Sequence, residues 1–86
     1  MTDASLAIVR DYDGLRLAVR RRRRQLGLTL LDVDFAAGLQ DGYAAKLECG
    51  VRNFGDMSLA AVLETLDLEL VVRARNPRQT STEIKG

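Results

Sequence analysis

The chain has 86 residues, 47% apolar and 29% charged, with 13 Lys and Arg against 12 Asp and Glu. A length of this order predicts one small domain with a thin core, which self-association often supplements. With no His and a single cysteine, Cys49, neither an internal disulfide nor a zinc site can be assembled, so no metal and no cofactor are expected.

Residues 1–10 are expected to form a flexible N-terminus. Leu15, Val19, Arg22 and Leu26 then recur at i, i+4, i+7 and i+11, with Ala18 beside them, which is one helix face. Asp11 and Asp13 fall where a first turn favours acids, and Gly27 follows where a helix would stop. The five consecutive arginines Arg20 to Arg24 are therefore predicted to lie in a helix over 12–26, because a disordered basic tail would not keep apolar residues in phase on both sides. Arg22, partly on the inner face, has to run its stem along the core with its head outside.

The stretch "TLLDVDFAAG" opens with a capping box, Thr29 with Asp32, and carries Leu30, Val33 and Ala37 on one stripe before Gly38. After "GLQ", "DGYAAKLECG" predicts another short helix, capped by Asp41, with Ala44 and Leu47 inward and Gly50 at its end. A fourth helix is predicted over "SLAAVLETL", with Leu59, Val62, Leu63 and Leu66 on one face. The period then changes from 3.6 to 2. Leu68, Leu70, Val72 and Ala74 alternate with Glu69, Val71, Arg73 and Arg75, a strand signature, and Pro77 ends it. Residues 76–86 are polar and expected to form a flexible tail.

Charge is unevenly distributed. Residues 1–28 carry seven Arg against three Asp, a balance of +4; residues 29–70 carry Lys46 and Arg52 against eight acids, −6; residues 71–86 carry four bases against Glu83, +3. A basic stripe beside an acidic body suggests an anionic partner on one face. Two short helices joined by a predicted three-residue turn containing Gly also form the pattern of a DNA-binding helix-turn-helix, although a plain helical bundle produces the same spacing.

"LGLT" before the second helix, "AGL" at the turn, "GYAAKLECG" and then "RN" resemble the lambda-repressor/Cro-like (XRE) helix-turn-helix family of small bacterial or phage regulators. "SLAAVLETLDLELVV" resembles the fourth helix and following strand of some antitoxin-like members. The resemblance covers about residues 12–75. It implies a compact, mainly α domain, commonly a homodimer, so that a domain of four to five short helices is expected over 11–75. The C-terminal β-strand, with no second strand of its own chain to pair with, is expected to pair across that homodimer through Leu68, Leu70 and Val72. It places the third helix in the major groove of double-stranded DNA at a palindromic operator. Position by position, it assigns base edges to Gln40, Asp41 and Lys46, with Tyr43 and Ala45 beside them. Lys46 can donate to guanine, Gln40 can pair with adenine, and Asp41 can accept from cytosine N4. Backbone contacts fall to Arg20, Arg23, Arg24, Thr29, Arg52 and Asn53, with Glu48 holding Arg23 by a charge-assisted bond.

This chain differs from the family pattern at four places. Leu30 stands where Gln is usual, Asp34 where a small residue is usual, and Phe54 where Pro is usual, while Leu31 and Phe35 add a second apolar stripe. That stripe and the acidic centre support an alternative reading, a helix-turn-helix-fold protein-binding module, antiactivator or antitoxin-like, without DNA binding. No carboxylate pair, nucleophile–base set or phosphate-cradling glycine loop is present, so no enzymatic activity is expected. No apolar run approaches the ~20 residues of a membrane span, and "MTDASLAIVRDYD" lacks the order of a secretory signal. A soluble cytoplasmic protein with no membrane partner is expected.

Overall fold

Four helices account for the regular structure of residues 6–76, the part of the chain that the computed structural model describes: α1 (Tyr12–Gln25), α2 (Leu30–Ala37), α3 (Tyr43–Cys49) and α4 (Asp56–Thr65). The proposed flexible tail lies, but for Asn76, outside those residues, as does the first half of the proposed flexible N-terminus.

Local chemistry explains where each helix starts and stops. The Asp11 carboxylate accepts the Gly14 N–H at 2.7 Å and caps α1. Arg22, Arg23 and Arg24 occupy its last turn, where cations favour the carbonyl end of the helix dipole. The α2 capping box is complete: Thr29 Oγ1 accepts from the Asp32 N–H at 3.0 Å, and Asp32 Oδ2 accepts from the Thr29 N–H at 2.8 Å. That helix ends on Gly38 in the left-handed conformation, φ 71°. Ser58 Oγ accepts the Gly55 N–H at 2.8 Å, which starts α4 two residues ahead of the predicted "SLAAVLETL".

Val19 of α1, Val33 of α2, Ala44 and Leu47 of α3, and Val62 of α4 with Leu66 at its end are buried together. Leu15, Leu28, Leu30, Leu39, Phe54 and Leu68 pack round them. The space left among these side chains amounts to about 10 Å³, roughly one water, so the core has no room for a ligand. Leu26, predicted to share the inner face of α1, is instead exposed, because it lies past the last helical residue as the C-cap. Arg22 behaves as its register predicted. It is half-buried, and its Nε donates to the Leu66 carbonyl at 3.0 Å, satisfying a carbonyl that the end of α4 leaves free.

Three further expectations are corrected. The turn between α2 and α3 spans five residues, Gly38 to Gly42, and α3 begins at Tyr43. Asp41 is not its cap: Gly42 holds that position at φ 89° with no side-chain cap of its own, and the amides of Gly42 and Ala44 donate to Asp34 instead. The strand over 68–74 is also absent. No strand occurs among the described residues, and with no second segment to pair with, a ladder has no partner groups. Leu68 packs on the core with its N–H donating to the Leu63 carbonyl at 2.8 Å, whereas Leu70 and Val72 are exposed.

Candidate nucleic-acid interface

The geometry of α3 follows from its seven residues, too few for a stable isolated helix. Its position is set by neighbours. At its C-terminal half, Arg23 of α1 donates from Nε to Glu48 Oε2 at 2.7 Å and from Nη2 to Glu48 Oε1 at 3.1 Å. Nη1 donates to the Leu28 carbonyl at 2.9 Å. Both side chains are 11% exposed, and the Glu48 hydrogen bonds raise the Arg23 pKa further above its already high value. The bidentate pair expected from the family resemblance is present. It also redefines Arg23, whose guanidinium is turned inward with all three nitrogens engaged. Arg23 therefore positions α3, and the phosphate contact assigned to it is withdrawn.

The loop after α3 is tied to α1 by a second cluster. The Tyr12 hydroxyl donates to the Phe54 carbonyl at 3.0 Å, and the two rings stack with centroids 6.3 Å apart. Arg16 lies over the Tyr12 ring, 4.9 Å from its centroid. It donates to Asp13 at 2.6 Å and to Asn53 Oδ1 at 3.3 Å. Gly50 leaves room for this approach, since a Cβ there would crowd Arg16 Nε at 3.2 Å, and its φ of 88° suits glycine. Phe54 thus serves as an aromatic anchor for the loop after α3. Nothing in the sequence periodicity singled out Tyr12 or Arg16. The partners that join them to the loop after α3, Phe54 and Asn53, lie some 40 residues away, beyond the reach of local pattern.

The base-edge candidates fall into three groups. Lys46 is exposed and Ala45 half-exposed on the outer face of α3, with exposed Cys49 one turn on from both. Tyr43 and Gln40 line an open groove with Ala37, Leu39, Met57 and Ala61 between the turn and α4, beside rather than on that face. Asp41 is exposed in the turn, ahead of the helix. Of the backbone candidates, Arg20, Arg24, Arg52, Asn53 and Thr29 are exposed, although Thr29 Oγ1 already serves its own helix. At about 100° per residue, Arg20 and Arg24 lie about 60° and 100° round α1 from inward-facing Arg23, away from Arg22. Arg21 lies about 160° round. Arg20 therefore lies nearest to the α3-facing side of α1 and Arg24 on its flank, whereas Arg21 is turned away from it.

No group of three or more His, Cys, Asp or Glu side chains able to hold a metal occurs among the described residues. No helix among them is long and apolar enough to cross a membrane. Comparison of the chain with protein-family models, with curated proteins and with solved structures finds no match.

Proposed function

We propose that this chain is a sequence-specific DNA-binding regulator of transcription, a repressor or autoregulator that reads a palindromic operator as a homodimer. The observation that carries the reading is a short helix fixed to its neighbours with a solvent-facing side bearing Lys46 and Ala45. Gln40, Asp41 and Tyr43 stand at its entrance, and exposed Arg20, Arg24 and Arg52 are available for phosphates. Residues 69–74, beyond the core-bound Leu68, close the dimer in this reading, by pairing with the same segment of a two-fold mate.

A second reading rests on the outer face of α2, where Leu31 is 59% and Phe35 89% exposed. Two large apolar side chains one turn apart suit a protein partner, as a helix-turn-helix module without DNA binding would use.

Selection from random duplex DNA separates the two. The regulator reading expects a salt-sensitive complex and recovered half-sites about 10 base pairs apart, one DNA turn. Lys46→Ala should then lose discrimination at one base pair by ~1–3 kcal/mol. Failure to recover any salt-sensitive complex removes the DNA reading and leaves the protein-binding one.

A further inference from the structure

We propose that Asp34 is the positioning residue that aims α3, and that the direction it sets, rather than any contact of its own, governs base discrimination; this rests on the DNA-reading role above. Asp34 is 0% exposed. Its Oδ1 accepts the Ala44 N–H at 2.7 Å and its Oδ2 accepts the Gly42 N–H at 2.8 Å. Its main-chain carbonyl accepts the Leu39 N–H at 2.7 Å, and also the Gly38 N–H. One residue of α2 thus holds both ends of the turn and the first turn of α3.

A buried carboxylate normally needs a cation. None is ion-paired with Asp34 among the described residues. What stabilises the charge is a pair of N–H donors at the positive end of α3. The same arrangement engages the amides that a phosphate would otherwise take there. Backbone gripping is left to side chains such as Arg20, Arg24 and Arg52, and α3 can approach the bases without a phosphate at its own N-terminus. With Arg23 and Glu48 near its other end, the seven-residue helix is fixed at two points, which define its axis.

Asp34→Asn is the test, because Asn keeps the shape but puts an NH2 group where one of the two amides also donates. At most one of the two bonds then survives. In the full chain, exchange of the Gly42 and Ala44 amides should accelerate by about tenfold or more while the α4 amides at Val62 and Leu66 stay protected. The affinity ratio between a selected and a scrambled duplex should fall about tenfold or more, with scrambled-duplex affinity and its salt dependence retained. Unchanged protection, or protection lost with discrimination intact, overturns the proposal. Should Asp34→Asn fail to fold, the wild type decides: scalar coupling from the Ala44 amide nitrogen to the Asp34 carboxylate carbon is expected, and its absence is fatal. Should the wild type bind no selected duplex, the DNA reading fails; the exchange and coupling data then report separately whether Asp34 holds α3.

Discussion

At the scale of single residues, the two ion-dependent contacts differ in what they contribute. Arg23 and Glu48 are nearly enclosed and bidentate, so truncating either leaves an unpaired charge in a poorly solvated place. Arg23→Ala and Glu48→Ala should each destabilise the fold by roughly 3 kcal/mol. The double variant should lose less than the sum, with a coupling of about 1 kcal/mol or more in denaturant unfolding. A coupling near zero would mean that the pair does not tie α1 to α3. Asp32 is fully exposed by contrast, and its pKa is lowered by the Thr29 main-chain N–H and then by the Thr29 hydroxyl. A carboxyl lowered in the folded state stabilises above its unfolded pKa and loses that contribution as pH falls through the folded value. Asp32→Ala should therefore melt below the wild type at neutral pH, and the gap should close as the solution is acidified past the ordinary carboxylate range. A gap constant from neutral to acid pH would show that the ionised box contributes nothing.

At the scale of elements, the outer face of α3 can be tested by chemistry already in the chain. Cys49 is a free, exposed thiol sharing that face with Lys46 and Ala45. If α3 lies in the major groove, a selected duplex should protect Cys49 from alkylation, and prior alkylation should block binding; labelling at equal rates with and without duplex would place the helix elsewhere. The helices themselves were largely legible in sequence. Asp11, Thr29 with Asp32, and Gly38 mark boundaries through chemistry confined to a few neighbouring residues. The register of Val19, Val33, Ala44, Leu47, Val62 and Leu66 likewise identifies the core before any tertiary contact is known. What could not be read locally was carried by distant partners. Asp34 looks like a misplaced charge until the amides of Gly42 and Ala44 are seen to donate to it, and that same bond displaces Asp41 from the cap. The contacts of Tyr12 with Phe54 and of Arg16 with Asn53 were hidden for the same reason. The Arg23–Glu48 pair was foreseen only through family resemblance, since nothing in their spacing joins them.

At the scale of the whole molecule, the segment after α4 decides whether one copy is enough. Leu68 belongs to the core of its own chain, but Leu70 is 59%, Val71 71% and Val72 98% exposed. Three adjacent apolar side chains in water, on β-branched and Leu residues that favour a pleated surface, are poorly accommodated in a lone chain. An antiparallel pairing of this segment with its two-fold copy would set Leu70 and Val72 of both copies side by side on one face and satisfy the backbone groups along the shared edge, since such a ladder is self-complementary. It would also relate two α3 helices by the symmetry that a palindrome requires, with centres about 34 Å apart. The truncation that tests this must spare Leu68, because removing it would open the core and confuse folding with assembly. A chain ending at Leu68 should keep its helical content and cooperative unfolding but sediment as a monomer. Its affinity for a full palindrome should fall toward that for a half-site, because the second half no longer binds at high effective concentration. If the intact chain is already monomeric at tens of micromolar, or the truncated chain remains a dimer, residues 69–76 do not close the assembly; the exposed Leu31 and Phe35 of α2 are then the surface to mutate next.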